Sequence, residues 1–229
     1  MKQEIINEKL ESLASEKTAL FSKRLSPASK YKILGVTIPN LRKLAKEIVK
    51  EGYQEYLKDA RLDMFEDIML YGFVINEAKL SLNDTFYYID KLIPLMDDWA
   101  QTDCILFPKV MLKHPKETIE HYLDFQKDSN YLKQRIFGLA IIQLYARKKE
   151  TVSQAITYLK GIPSKEYYSQ MVVAWALADS AVANYSQVLQ ELKLKTFTPW
   201  IHNKAIQKIR ESRRISQEQK DELNLLKIR

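Results

Sequence analysis

Thr37-Ile-Pro-Asn-Leu-Arg-Lys-Leu-Ala-Lys-Glu-Ile-Val-Lys-Glu-Gly52 is the stretch of this 229-residue chain that decides its fold class. Thr37 is a suitable N-cap, Pro39 falls in the first turn, and Gly52 stands where a helix would end. Between them the apolar side chains recur with the helical period, at Leu41, Leu44, Ala45, Ile48 and Val49. The stretch therefore predicts an amphipathic helix over 38–51.

The same helical period continues along almost the whole chain, and no segment shows sustained alternation of apolar and polar residues. Glycine is scarce, with five in the chain, which favours long regular helices. The pattern predicts helices near 2–23, 38–51, 63–77, 82–96, 98–113, 115–127, 131–148, 150–160, 165–182, 184–193, 198–211 and 215–227. We therefore predict an all-α protein.

From about residue 82 the predicted helices come in pairs, over 82–113, 115–148, 150–182 and 184–211. Paired helices repeated every 30–35 residues or so are typical of α-solenoids, in which each pair buries its apolar face against its neighbours. We predict one helical-repeat domain over 1–229, a right-handed solenoid of antiparallel helix pairs with one helix of each pair on the concave face. The alternative is an irregular helical bundle without a true repeat.

The composition favours a cytoplasmic protein with a polyanionic partner. The net charge is +7 and the sequence pI is about 9.2, a balance that suits nucleic acid. Cys104 is the single cysteine, so no intrachain disulfide is expected and a reducing compartment is predicted. The chain begins without the apolar core of a signal peptide, and its longest apolar run, 171–178, is too short to span a bilayer.

Two predicted helices carry a tryptophan followed four positions later by an aspartate. These pairs are Trp99–Asp103 and Trp175–Asp179. Four residues make just over one helical turn, so each indole is expected beside its carboxylate, at about 5–6 Å between Cβ atoms. Between the pairs, the stretch 131–149 contains no acidic residue. Aromatic faces and carboxylates beside a basic surface suit a cationic group carried by a polyanion.

Several short motifs, in their order and spacing, resemble the AlkD-type DNA alkylation repair proteins. Leu34-Gly-Val-Thr-Ile-Pro-Asn-Leu-Arg-Lys-Leu-Ala-Lys46 is similar to the Gly-x-x-x-Pro-x-x-Arg motif of that family. The resemblance continues through Trp99-x-x-x-Asp103, Lys113-His-Pro115, Gln134-Arg135 and Trp175. It runs from about residue 25 to residue 212.

This resemblance implies a HEAT-like repeat DNA glycosylase, which hydrolyses the N-glycosidic bond of positively charged alkylated purines in duplex DNA. 3-Methyladenine and 7-methylguanine are lesions of this kind. The resemblance implies that Asp103 is the catalytic carboxylate, that Trp99 and Trp175 contact the lesion, and that Arg135 contacts a phosphate. It also implies excision without a closed base-flipping pocket and without a cofactor.

Two positions depart from the family pattern. Asp98 stands where the family has a tryptophan directly before the Trp-x-x-x-Asp motif. A tyrosine expected from the N-terminal part of the site has no clear match, and Ser26 is nearest by spacing, with Tyr31 as a possible substitute. Both departures bear on which lesions the protein accepts and on whether it excises them.

The remaining basic residues are predicted to contact the DNA backbone. Lys133, Arg147 and Lys148 flank Arg135 in sequence, and Lys204 and Lys208 form a second group. Double-stranded DNA is the predicted partner, and the protein is predicted to act as a monomer. The three histidines have no metal-ligand spacing with the cysteine, so no metal site is predicted.

Two other functions fit the same sequence. One is a non-catalytic helical-repeat protein that binds damaged or branched DNA, which the change at Asp98 favours. The other is a protein-binding scaffold, a common role of α-solenoids. Release of free alkylated base separates the first hypothesis from both alternatives.

Overall fold

Helices make up the regular structure of the computed structural model, which describes residues 1–27 and 29–228. Within these two ranges no strand forms, and the one β-type contact is an isolated parallel bridge between Lys32 and Met64. The all-α prediction is confirmed. The helices divide into two compact units, Met1–His114 and Pro115–Arg229. The prediction of one repeat domain over 1–229 stays a prediction.

The first unit contains eight helices within its described residues. They are α1 (Gln3–Leu13), α2 (Glu16–Leu25), α3 (Ile38–Glu51), α4 (Gln54–Asp59), α5 (Phe65–Glu77), α6 (Leu82–Leu92), α7 (Trp99–Ile105) and α8 (Lys109–Lys113). A short 3-10 turn, Ile93–Leu95, follows α6. The helix predicted over 38–51 matches α3, because its cap, its proline and its final glycine all mark the same boundaries.

The core of the first unit is built around α5, which is buried on every side from Phe65 to Ile75. Helices α3, α6 and α7 pack against it. A helix that is apolar all round belongs in the interior, and α5 follows that rule with two exceptions, Glu66 and Asp67. Both carboxylates accept backbone hydrogen bonds, Glu66 from the loop Leu34–Val36 and Asp67 from Asp63 and Met64.

The second unit contains seven α-helices within its described residues. They are α9 (Pro115–His121), α10 (Tyr131–Ile141), α11 (Val152–Lys160), α12 (Tyr167–Ala183), α13 (Tyr185–Lys193), α14 (Pro199–Glu211) and α15 (Gln217–Leu225). Two 3-10 turns, Leu123–Gln126 and Lys149–Thr151, and one π-helical turn, Ile142–Ala146, complete it.

Three of these helices, α10, α12 and α14, lie side by side in the same direction. Helix α12 packs against both of the others. At their N-terminal ends Tyr131 stacks on Tyr168, and Tyr167 contacts Trp200 edge-on. At the opposite end, Arg147 follows α10 and its π-turn and forms an ion pair with Asp179 of α12. Like ends therefore meet like ends, so α10 and α12 run parallel and α14 begins beside the start of α12.

Several predicted boundaries differ from the structure. The helix predicted over 2–23 divides into α1 and α2, and the one predicted over 98–113 divides into α7 and α8. Helix α4 was not predicted at all. No helix among residues 1–27 and 29–228 has both the length and the apolar character needed to cross a membrane.

Candidate active site

Trp99 and Asp103 lie one turn apart on α7, as their spacing predicts. Both side chains are half-exposed, so neither is sealed in the interior of the first unit. The hydroxyl oxygen of Thr102 lies 3.1 Å from Asp103 Oδ1 and 2.9 Å from the carbonyl oxygen of Trp99. A threonine hydroxyl has one proton, so it donates to one of these acceptors at a time.

The N-terminal end of α7 is held by Asp98, the residue that departs from the family pattern. Asp98 is the N-cap, and its Oδ1 accepts the backbone N–H of Ala100 at 2.9 Å. The side chain of Gln101 accepts the backbone N–H of Asp98 at 3.1 Å, which completes a capping box. The same Asp98 Oδ1 accepts the hydroxyl of Ser26 at 2.7 Å. Asp98 thus bonds directly to Ser26, the residue nearest by spacing to the unmatched tyrosine of the resemblance.

Further hydrogen bonds join Leu25 and residues 29–31 to α7 and to the turn that precedes it. The indole N–H of Trp99 donates to the Leu25 carbonyl at 3.1 Å. Asp97 accepts the hydroxyl of Ser29 at 3.0 Å and the backbone N–H of Lys30 at 2.7 Å. The hydroxyl of Tyr31 donates to the Leu95 carbonyl at 2.8 Å. The hydrogen bond from its N–H group therefore fixes the orientation of the Trp99 indole.

The C-terminal end of α7 is held by two donors from other helices. Arg42 of α3 donates to the Cys104 carbonyl at 3.2 Å, and its guanidinium carbon lies 4.3 Å from the centroid of the Phe73 ring. Asn76 of α5 donates to the Ile105 carbonyl at 2.7 Å. These bonds satisfy carbonyls that a helix leaves without partners at its end.

Close packing adds to these bonds at Gly72 of α5. A Cβ atom built on Gly72 would lie 2.6 Å from the Cβ of Ile105, so only glycine permits this approach of α5 to α7. Helix α7 has seven residues, far fewer than an isolated helix needs to be stable in water. The anchors at its two ends therefore determine where Trp99 and Asp103 lie.

Cys104 lies beside Asp103 in the chain and is half-buried. Burial raises the pKa of its thiol, and the neighbouring Asp103 carboxylate raises that pKa further. The raised pKa keeps the sulfur protonated and weakly nucleophilic. No cluster of three or more metal-ligating side chains occurs among the residues described.

Replacing Asp98 with asparagine tests the anchor through its pH dependence. Burial raises the pKa of the Asp98 carboxyl above its ordinary value, and the neighbouring carboxylates Asp97 and Asp103 add to the rise. The folded state thus holds this proton to higher pH than the unfolded state, and the stability linked to Asp98 falls as the pH rises from about 4 through the raised pKa. Over this pH range the free energy of unfolding of Asp98→Asn should therefore increase relative to that of the wild type. Asparagine keeps the cap but carries no charge.

Urea unfolding of both proteins between about pH 3.5 and pH 8 measures the difference. Asp128→Asn is the control with the opposite sign, because the hydrogen bond from Lys133 lowers the pKa of Asp128. That variant should lose stability relative to the wild type as the pH rises. Parallel curves for Asp98→Asn and wild type would contradict a buried, ionisable cap.

The second unit carries the other predicted contacts on α10, α12 and α14. Trp175 lies in the middle of α12 and is half-exposed. Tyr168 and Asp179 are seven residues before it and four after it, so all three lie on one face of α12. Arg135 of α10 donates to the Tyr168 carbonyl at 3.1 Å and is 6% exposed. Little of its side chain is therefore accessible to a phosphate.

The remaining predicted backbone contacts differ in their surroundings. Arg147 is exposed and its Nε lies 2.8 Å from Asp179, so Asp179 is the ion-pair partner of a basic side chain. Lys133 pairs with Asp128 at 2.8 Å. Lys148 is exposed, while Lys204 and Lys208 are half-exposed on α14. The structure places Trp99 and Asp103 in the first unit and the other predicted site residues in the second.

Similarity to a known family extends over most of the chain. The model of a family described as DNA alkylation repair enzyme matches residues 6–209. The chain belongs to the DNA alkylation repair enzyme family. No individual curated protein matches the chain closely enough to be named as a relative.

Membership in the DNA alkylation repair enzyme family makes DNA the partner and repair of alkylated DNA the activity of the group. The matched residues include both tryptophan–aspartate pairs and Arg135. The anchors of α7 at Ser26, Asp98 and Arg42 were not assigned from the sequence. One signal was present, because Asp98 followed three residues later by Gln101 has the pattern of a capping box.

Proposed function

We propose that the protein is a DNA glycosylase that hydrolyses the N-glycosidic bond of positively charged alkylated purines, such as 3-methyladenine or 7-methylguanine, in duplex DNA. The observation that carries this proposal is an accessible indole beside an accessible carboxylate, Trp99 and Asp103, on a short helix fixed at both ends. We propose that it acts as a monomer and without a cofactor.

The chemistry asks little of the protein because the leaving group is already activated. Alkylation at N7 or N3 makes the purine cationic, and cleavage of the glycosidic bond moves positive charge onto the sugar, as in other glycoside hydrolyses. The carboxylate of Asp103 stabilises that charge and accepts a proton from the attacking water. No general acid is required, since the purine leaves as a neutral base.

The two indoles have the same task on the two units. A cation over an indole face gains about 0.5–2 kcal/mol, depending on how fully it is desolvated. Trp99 and Trp175 are both half-exposed, which leaves part of each side chain accessible to a nucleotide. We propose that they contact the lesion from the protein surface, without a closed base-flipping pocket.

The basic side chains supply the DNA-backbone contacts in this proposal. Lys148, Lys204 and Lys208 present ammonium groups at the surface, and Arg135 is proposed to reach a phosphate through the small part of its side chain that is exposed. Lys133 and Arg147 exchange their carboxylate partners, Asp128 and Asp179, for phosphates. If about six phosphates are neutralised, duplex affinity falls roughly 10³-fold between 50 and 200 mM salt.

The arrangement of the second unit supports a HEAT-like repeat. Helices α10, α12 and α14 form one layer, and α11 and α13 pack against α12. Alternating helices of two layers are the pattern of stacked antiparallel pairs. We propose that these pairs stack with the right-handed sense of a solenoid and that α10, α12 and α14 are the inner helices facing DNA.

Release of free base tests the proposal directly. Duplex DNA containing 7-methylguanine is incubated with the full chain, and the free base is separated by chromatography and counted over time. Release well above spontaneous depurination supports the glycosylase, with the rate proportional to enzyme concentration. Duplex that contains unmodified guanine at the same position is the matched control and should release nothing above background.

A non-catalytic DNA-binding role is the second candidate, and one observation favours it. Asp98 is a buried cap where the family resemblance expects an aromatic side chain. Tight, salt-dependent binding of methylated duplex without any base release would indicate a protein that binds damaged or branched DNA without catalysis. A protein-binding scaffold would show neither release nor salt-dependent affinity for DNA.

A further inference from the structure

A continuous row of four aromatic rings follows the edge where α10, α12 and α14 begin. Tyr131 and Tyr167 are the first residues of α10 and α12, and Trp200 is the second residue of α14. Ring centroids are 5.9 Å apart for Tyr131–Tyr168, 5.3 Å for Tyr168–Tyr167 and 5.8 Å for Tyr167–Trp200. We call this row the aromatic edge.

The aromatic edge lies at the surface of the second unit. Tyr167 is 56% exposed, and Tyr131, Tyr168 and Trp200 are half-exposed. By contrast, the ring of Phe137, also on α10, is fully buried and belongs to the core of this unit. Large apolar rings grouped at a surface mark an interaction site more often than rings scattered singly.

Two cations lie beside rings of the aromatic edge, one at its Trp200 end and one at Tyr168, which is inside the row. Lys204 Nζ lies 5.7 Å from the centroid of the Trp200 ring, and Arg135 Cζ lies 5.9 Å from that of Tyr168. Beside Trp200 the surface opens into a recess of about 600 Å³, whose lining includes Lys204, Gln207 and Lys227. An indole wall with two ammonium groups in one recess matches a base with its phosphate.

We propose that the aromatic edge binds an unpaired segment of a DNA strand, with bases against the rings and phosphates at Lys204 and Lys227. Rings combined with basic groups are the usual means of binding single strands, because every base has a face to stack. Bases within a duplex have both faces covered by their neighbours, so a duplex gains little from exposed rings. This binding does not depend on base excision, and it stands or falls separately from the glycosylase.

The orientation of the rings favours single-stranded DNA over a rigid duplex. Adjacent rings at Tyr168–Tyr167 and Tyr167–Trp200 both meet at 74°, so successive faces point in different directions. A flexible strand whose bases have unstacked can turn each base to a different face. A planar array of stacked base pairs has no such freedom.

The test compares the affinity of the full chain for fluorescein-labelled oligothymidine with that for a blunt duplex of the same length. Trp200→Ala and Tyr167→Ala should each weaken oligothymidine binding roughly tenfold, the loss expected for one stacked base, and should change duplex binding much less. Tyr167→Phe keeps the ring and should bind like the wild type. Circular dichroism and thermal unfolding establish that each variant is folded.

Tyr87→Ala is the matched control for an exposed ring beside a lysine. Tyr87 is 54% exposed in the first unit, and Lys91 Nζ lies 4.2 Å from its ring centroid. Its replacement should leave oligothymidine affinity unchanged. Folded Trp200→Ala and Tyr167→Ala variants that bind oligothymidine like the wild type would overturn the proposal. So would losses of equal size for oligothymidine and duplex, because they would assign the edge to backbone contact alone.

Discussion

Replacing Asp103 with asparagine is expected to lower the rate of 7-methylguanine release from duplex DNA by about 10²–10³-fold, the usual loss when a group that stabilises transition-state charge is removed. Asparagine has nearly the same shape and still accepts the Thr102 hydroxyl, which lies 3.1 Å from Asp103 Oδ1. The change therefore removes charge and leaves the anchored helix in place. Single-turnover release under saturating enzyme measures the chemical step without the binding step.

Duplex affinity separates a chemical role of Asp103 from a binding role. Removing a negative charge from a DNA-binding surface does not weaken attraction to phosphates, so Asp103→Asn should bind duplex at least as tightly as the wild type. A variant with slow release and weak binding would point to a displaced helix α7. A variant with slow release and intact binding would identify Asp103 as the catalytic carboxylate.

Asp179→Asn is the matched control within the same chain. Asp179 also follows a tryptophan by four residues on a helix, but its carboxylate pairs with Arg147 at 2.8 Å. Losing that partner frees the Arg147 guanidinium, so duplex binding should be equal or slightly tighter and base release should stay within a few-fold of wild type. If Asp179→Asn abolished release while Asp103→Asn did not, the catalytic assignment would belong to the second unit.

The fold was predictable wherever local signals agreed. The helix over 38–51 is correct because its cap, its periodicity and its final glycine coincide. The prediction over 98–113 was wrong in its middle, where α7 ends at Ile105 and α8 begins at Lys109. Pro108 was the available signal, because the residue before a proline avoids the helical conformation; Phe107 has a φ of 69° there. Apolar periodicity continued across this break and concealed it.

Only part of the candidate site could be predicted from the sequence. The neighbouring positions of Trp99 and Asp103 follow from helical spacing alone. Their anchors join residues 62 to 74 positions apart, through Arg42–Cys104, Ser26–Asp98 and Leu25–Trp99. Such contacts depend on which helices pack together, and periodicity within one helix carries no information about that. The sequence showed Asp98 only as a departure from the resemblance, whereas the structure shows that it caps α7, the helix that carries Trp99 and Asp103.

Replacing Glu66 with alanine is expected to destabilise the first unit by about 3–5 kcal/mol, the range for removing one partner from a buried charged network. The Glu66 carboxylate is 2% exposed and accepts three backbone N–H groups, from Leu34 at 2.9 Å, Gly35 at 2.8 Å and Val36 at 3.2 Å. Alanine leaves these donors without an acceptor. Thermal unfolding should show a decrease in Tm of roughly 10 °C.

The loop that Glu66 holds also packs closely against another helix. Gly35 has a φ of +88°, and a Cβ atom there would lie 2.2 Å from the Ser15 carbonyl oxygen, so the loop is pressed against the start of α2. The loop leads into α3, whose Arg42 holds the Cys104 carbonyl, so its release should also slow base excision in the fraction that stays folded. Glu47→Ala, which removes a partly exposed partner of Lys9, is the control and should lose far less stability. Equal losses for the two variants would show that the buried carboxylate contributes no more than a surface ion pair.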